Sequence, residues 1–218
     1  MDGTIVIINH HNKRVSREIA GALLESQDSG IIGEYGDAAD FKQTVITQSP
    51  DILISSIGDK SYLNFDTARY LRRHLPSLKI IVVVDSEDAA GMVMAMKAGA
   101  AACVPETAPP ALWKAILTEL DDGRWPIIDE LLRPEVANLV LADFEAPSPL
   151  RDLQNDILTK LLPPETEMLL GIAAGNGIEY SRSDIELINK QLRAVVHKLM
   201  SNNDVTLLLA EYTKITAG

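Results

Sequence analysis

The first residues that could do chemistry are Asn9, His10 and His11, which end the apolar run TIVIIN near the start of the chain. In an α/β protein, the end of the first strand commonly points at a binding site. An imidazole there can titrate near neutral pH or ligate a transition metal. A metal site also needs two or three converging ligands, which this spacing does not supply, so we expect no metal.

A second group of candidates is basic and lies towards the end of the chain. Lys190, Arg193, His197 and Lys198 fall in the segment INKQLRAVVHKL with no acid among them. On a helix, Lys190 and Arg193 share one side and could contact phosphates or guanine edges. The same pattern also fits an ordinary solvated face, so the spacing alone leaves DNA contact and simple exposure open.

No motif for catalysis emerges from the sequence. Gly171, Gly175 and Gly177 do not follow a strand into a helix, as a dinucleotide loop requires. The segment SIGDKS around Gly58 lacks the spacing of a phosphate loop, and no nucleophile, base and acid converge at a predicted pocket. We therefore expect neither an enzyme nor a cofactor.

Length and composition predict two small domains. The chain has 218 residues, of which 46% are hydrophobic and 23% charged, as in globular proteins. We expect a cytoplasmic protein with no membrane contact, because no apolar run reaches the roughly 18 residues of a membrane span, no signal peptide is visible and Cys103 is the only cysteine. The net charge of −11 disfavours sequence-independent attraction to nucleic acid. From Leu150 onward, however, the charge is only −2, with seven basic and nine acidic residues.

Short apolar runs alternate with amphipathic stretches over the first 120 residues. The predicted strands are TIVIIN, GIIGEY, PDILISS, LKIIVVVD and AACVPE. Helices are predicted over residues 13–25, around residues 38–48, in EDAAGMVMAMKAGA and in PPALWKAILTEL. Five βα units of this size predict a doubly wound parallel sheet covered by helices.

With this spacing of elements, the chain resembles response regulators of the NarL/LuxR type, in which a receiver domain precedes a helix-turn-helix domain. KAGA and ALWKAI match segments of the receiver, while LLPPETEMLLGIAAG and INKQLRAVVHKL resemble the opening and recognition helices of the second domain. The resemblance implies a flavodoxin/CheY-like five-stranded parallel sheet of order 2-1-3-4-5, followed by a small all-α domain. It implies a receiver-like domain at 1–123, a helical connector and linker at 124–150, and a helix-turn-helix-like domain at 151–218.

The residues that receivers use for aspartyl phosphorylation are replaced. The resemblance places the family's acid pair on Asn9 and His10, its phosphorylated aspartate on Ser56, its hydroxyl on Val84 and its lysine on Glu106. Mg²⁺ requires hard oxygen ligands, and Ser56 offers no carboxylate to accept phosphorus. Val84 cannot hydrogen-bond a phosphoryl oxygen, and Glu106 would repel it. We therefore expect a pseudo-receiver that acts without phosphorylation.

Three interpretations of this sheet edge stay open. His10 and Glu106 could form a pair that locks the edge without a ligand, since a carboxylate favours the charged form of an imidazole. Alternatively, both histidines could simply be solvated at a loop after sequence drift. The third interpretation, a transition metal at His10, His11 or another ligand, is disfavoured because it lacks the two or three converging ligands that such a site needs.

The second domain departs from the family between its opening and recognition helices. The segment NGIEYSRSDIEL is too short for the family's scaffold helix and turn, and that helix sets how the recognition helix enters the major groove. The segment NDVTLLLAEY resembles the closing helix, on which family members pair, so we expect a homodimer. Its apolar stripe, which could equally be core, consists of Val205, Leu208, Leu209 and Tyr212.

Two functions of different class follow. The first is a phosphorylation-independent transcription regulator that binds duplex DNA in a divergent way and receives a partner protein at its receiver-like domain. The second is an interaction module derived from such a regulator, whose acidic surface docks a protein and which no longer binds DNA. Affinity for duplex DNA as a function of salt separates the two.

Overall fold

The computed structural model describes residues 4–10, 12–24, 29–34, 38–57, 63–85, 88–146, 160–175 and 186–202. The chain divides into two compact units, Met1–Pro126 and Ile127–Gly218. The domain bounds given above stay a prediction.

The first unit is an alternation of strands and helices. Its elements are β1 (Thr4–Asn9), α1 (Lys13–Leu24), β2 (Ser29–Glu34), α2 (Ala38–Gln48), β3 (Ile52–Ser56), α3 (Phe65–His74), β4 (Lys79–Val84), α4 (Ala89–Ala98), β5 (Ala102–Pro105) and α5 (Pro110–Asp121). The strands form one parallel sheet in the order β2-β1-β3-β4-β5. The predicted sheet and its strand order are confirmed.

Both faces of this sheet are covered, as the near-continuous apolar runs of β3 and β4 require. Alternate strand residues such as Ile54, Ile81 and Val83 pack with Trp113 of α5 and Ile19 of α1 in one core cluster. Helices α1 and α5 pack against each other, while α3 packs against both α2 and α4. Two helix layers therefore hold the strands, and the loops after the strands come together at one edge.

Local signals fix where the helices near that edge begin and end. The Asn64 side chain accepts the Thr67 N–H at the start of α3, and the Asp88 side chain accepts the Gly91 N–H at the start of α4. Helix α4 ends at Gly99 in the left-handed conformation (φ 75°), which glycine adopts without steric cost.

The second unit is helical. A 3₁₀ helix (Pro126–Leu132) is followed by α6 (Pro134–Glu145), α7 (Pro163–Ala173) and a helix over residues 186–202, which we call α8. Helices α6 and α7 pack against each other. At the start of α6, hydrogen bonds from its own backbone N–H and from Arg133 lower the pKa of Glu135.

The segment ELLRPEVANLVLADF has a helical pattern in the sequence despite Pro134, which predicts one helix, but the structure has two helices there. The 3₁₀ helix ends at Leu132, and Pro134 occupies the first turn of α6. Proline has no N–H to donate and restricts the residue before it, so it starts a helix rather than continuing one. Arg133 accordingly has an extended backbone (φ −81°, ψ 125°).

Some predicted features fall outside the described residues. These are His11, the segments 147–150 and 176–183, and the proposed dimer stripe of Val205, Leu208, Leu209 and Tyr212. Within the described part of the chain, no helix is both long enough and apolar enough to cross a bilayer.

Candidate functional site

The carboxyl ends of four strands bring the predicted pocket residues to one edge of the sheet. Asn9 pairs with Ser55 across β1 and β3, Ser56 pairs with Val83 across β3 and β4, and the Glu106 N–H donates to the Val84 carbonyl at 2.8 Å. Asn9, His10, Ser56 and Val84 are buried, and Glu106 is half-buried.

His10 and Glu106 meet at this edge. His10 Nε2 lies 3.1 Å from Glu106 Oε1, with the imidazole fully buried and the carboxylate side chain 19% exposed. Strands β1 and β5 are separated by β3 and β4. Since neighbouring strands are about 4.8 Å apart, β1 and β5 lie roughly 14 Å apart. Both side chains therefore reach across the ends of β3 and β4.

The second nitrogen of His10 fixes the form of the imidazole. The Asn12 backbone N–H donates to His10 Nδ1 at 3.1 Å. A nitrogen that accepts a hydrogen bond carries no proton, so we assign the neutral ring with its proton on Nε2, facing Glu106. The pair is therefore a close contact between the Nε2 side of the imidazole and a carboxylate, and full protonation of His10 would break the Asn12 contact.

The ends of β3 and β4 are closed by groups that do not bind phosphate. The Ser55 hydroxyl donates to the Ser56 carbonyl at 2.9 Å, and Ser56 itself is only 6% exposed. Val84 packs under α4, where its Cγ1 lies 3.1 Å from the position of a Cβ on Gly91. The end of β4 thus makes an apolar contact with α4 that the missing Cβ of Gly91 permits.

Mg²⁺, which the receiver fold implies, does not fit this donor set. Asn9 and Ser56 are neutral, and both ring nitrogens of His10 face Asn12 and Glu106. Glu106 is directed at His10 rather than towards a cluster of acids. Among the residues that the structure describes, no group of three or more His, Cys, Asp or Glu side chains could hold a metal ion.

The second candidate surface is α8. Lys190, Arg193 and His197 are exposed on this helix, at a spacing that places them on one side. The opposite side is buried and consists of Ile188, Leu192, Val195, Val196 and Leu199. One ammonium, one guanidinium and one imidazole group thus face solvent together. Side chains of these types commonly contact phosphates.

Lys198 does not belong to this exposed face, and the prediction that it contacts DNA is corrected. Its ammonium lies 2.6 and 2.8 Å from the two carboxylate oxygens of Glu165, and its side chain is 9% exposed. Glu165 also accepts the Leu162 N–H at 2.7 Å. The pair joins α8 to α7 and engages the Lys198 ammonium, which a DNA contact would need exposed.

A sequence signal for this burial exists. Lys198 lies three residues after Val195 and next to Leu199, beside the apolar stripe of α8. The place of Glu165 in the first turn of α7 indicates only a favourable interaction with the positive end of the helix dipole. The contact that buries both residues spans 33 positions of sequence, so periodicity within one helix could not reveal it.

The chain shares its fold with solved response regulators. No family model and no curated protein matches it. The Salmonella typhimurium RcsB response regulator is 21% identical, with 91% of this chain and 93% of that chain covered and a TM-score of 0.51. A structure of two RcsB dimers bound to two parallel DNAs is 21% identical, with coverage of 91% and 92% and a TM-score of 0.52.

A third structure matches the first unit. The signal receiver domain of the response regulator NarL from Mycobacterium tuberculosis is 15% identical, covers 57% of this chain with its full length, and has a TM-score of 0.51. At these identities the similarity concerns the fold. The predicted fold class is confirmed: a receiver-like doubly wound sheet followed by a helical region.

Proposed function

We propose that this chain is a transcription regulator whose receiver-like unit works without aspartyl phosphorylation. The observation that carries the proposal is the contact between His10 and Glu106, at 3.1 Å across the carboxyl ends of β3 and β4. A phosphoryl group and its Mg²⁺ need carboxylates and a cation at this edge. Here the edge brings the His10 imidazole and the Glu106 carboxylate together instead.

The absence of a nucleophile supports the same conclusion. The resemblance places the family's aspartate at Ser56, and a buried hydroxyl is a poorer acceptor for phosphorus than a carboxylate. Val84 offers no hydrogen bond to the product, since it packs under Gly91. We propose a unit held in one state by its own side chains, acting as a binding module rather than as an enzyme.

DNA binding is assigned to α8 in this proposal. Lys190, Arg193 and His197 are exposed together, so they can contact phosphates or base edges when the helix enters a groove. The matched RcsB structure contains dimers bound to DNA, and we extend both duplex DNA and a homodimer to this chain as parts of the proposal. A partner protein at the receiver-like unit would then supply the signal. A cytoplasmic location stays a prediction from the sequence.

The second candidate function is an interaction module that no longer binds DNA. The net charge of −11 favours it, because a polyanion is repelled by most of the surface. The pairing of Lys198 with Glu165 also favours it, since it removes one of the four basic groups predicted to contact DNA.

A salt series distinguishes the two functions. Fluorescence anisotropy of a labelled random duplex is measured against the full chain from low to physiological salt. A regulator that contacts DNA through α8 should show an affinity that falls steeply with salt. No binding even at low salt would support the interaction module and overturn the DNA-binding proposal.

A further inference from the structure

The surface between α2 and α3 carries four side chains that form a basic–aromatic patch: Lys42, Tyr70, Arg73 and His74. The Lys42 ammonium lies 5.6 Å from the centre of the Tyr70 ring. The rings of Tyr70 and His74 are 4.1 Å apart and inclined by 32°. Lys42, Arg73 and His74 are exposed, and Tyr70 is 38% exposed.

Hydrogen bonding orients one member of the patch. His74 Nδ1 lies 2.9 Å from the Tyr70 carbonyl. A carbonyl oxygen only accepts, so Nδ1 carries the proton and donates, and Nε2 is directed away from this contact. His74 therefore stays beside the Tyr70 ring with its second nitrogen available to another group.

Helix architecture accounts for only part of this patch. Basic residues in the last turn of α3 complement the negative end of the helix dipole, and Arg73 and His74 suit that role. Lys42 belongs to a different helix, α2, and its position over Tyr70 brings a further cation to the same place. In a chain of net charge −11, such a concentration of cations is a local exception.

We propose that the basic–aromatic patch binds a short acidic peptide segment of a partner protein. Lys42 and Arg73 would pair with its carboxylates, and the exposed part of Tyr70 would contact its apolar atoms. The proposal rests on the proposed function, in which a partner protein signals through the receiver-like unit, and it names the surface and the chemistry of that partner.

The charge distribution favours a short peptide over nucleic acid. The first unit holds 17 acidic and 12 basic residues, so its excess of negative charge repels a long polyanion. A segment of a few acidic residues contacts the patch alone. Its attraction therefore depends on these side chains and not on the net charge of the chain.

The test uses the full chain and a fluorescein-labelled hexaglutamate peptide at low salt, followed by fluorescence anisotropy. The variant K42E/R73E should weaken binding about tenfold or more, because both cations that face the carboxylates are reversed. Y70A should weaken it about threefold. The matched control is K13E/R17E, which makes the same charge change at exposed residues of α1 and should alter the affinity less than twofold.

Three results would overturn the proposal. The first is that the peptide does not bind the parent chain, and the second is that K13E/R17E loses as much affinity as K42E/R73E. The third is that a short DNA duplex binds at least as tightly as the peptide and that this binding is lost in K42E/R73E. Circular dichroism verifies that each variant folds. None of these readouts involves phosphorylation or α8, so failure here is distinguishable from failure of the proposed function.

Discussion

His10 Nε2 lies 3.1 Å from Glu106 Oε1 although strands β3 and β4 separate the two residues in the sheet. The contact lies where the resemblance to receivers places one of the family's acids and its lysine. Of the interpretations drawn from the sequence, the pair is the one whose two residues the structure brings together. Its role as a lock is a proposal with direct tests.

Removing the charge of Glu106 should lower the pKa of His10. E106Q keeps the size of the side chain, but the carboxylate that favours a charged imidazole is gone. The Asn12 N–H on Nδ1, which favours the neutral ring, remains. We expect the pKa of His10 in an NMR titration to fall relative to the parent chain.

The control for this titration is D121N, which removes a carboxylate beside Lys79. It should leave the titration of His10 unchanged. An unaltered pKa of His10 in E106Q would show that the pair does not influence the imidazole, and the lock would be abandoned.

Adding one methyl group to α4 should test the packing of Val84. The Cβ of G91A would meet Val84 Cγ1 at 3.1 Å, closer than ordinary van der Waals contact. The control is G21A, whose Cβ has nothing within 4 Å, so it should gain about 1 kcal/mol of unfolding free energy from helix propensity.

In urea unfolding, G91A should gain less than G21A or lose stability, and V84A should be less destabilising in the G91A background than alone. Equal gains in G91A and G21A would mean that Val84 moves aside freely. The apolar closure of the β4 end would then be a loose contact.

The buried pair of Lys198 and Glu165 should matter for stability rather than for DNA. Removing one partner leaves a buried charge alone, so K198M should lower the free energy of unfolding by about 3 kcal/mol. The double variant K198M/E165L should recover part of that loss, because no unpaired charge remains. Chemical denaturation measures both, and additive losses in the double variant would contradict the pairing.

Binding to duplex DNA should depend on the exposed side of α8. K190A and R193A should each weaken binding and reduce the dependence of log affinity on log salt by about one unit. K160A, at an exposed lysine before α7, is the matched control and should change neither quantity. Equal effects of K160A would indicate diffuse attraction instead of a binding helix.

The sheet was predictable because each strand is a short apolar run with its own boundary signals. Glycine at position 99 and proline at position 110 mark helix ends by backbone geometry alone, and both predictions agree with the structure. Pro134 was misjudged, since the apolar pattern on both sides outweighed its missing N–H.

The site was predictable in position but not in chemistry. Asn9, Ser56 and Glu106 lie at one edge of the sheet, because the carboxyl ends of parallel strands meet at the same edge. That Glu106 lies beside His10, and that Glu165 buries Lys198, depend on contacts between separate segments. Such contacts follow from tertiary packing, and no periodicity in the sequence encodes them.

The most direct test of the central claim is incubation of the full chain with acetyl phosphate and Mg²⁺, followed by intact mass spectrometry. We predict an unchanged mass, because Ser56 supplies no carboxylate and the edge offers Mg²⁺ no set of anionic ligands. An acid-stable, base-labile adduct of one phosphoryl group, lost on treatment with hydroxylamine, would contradict the claim that this unit acts without aspartyl phosphorylation.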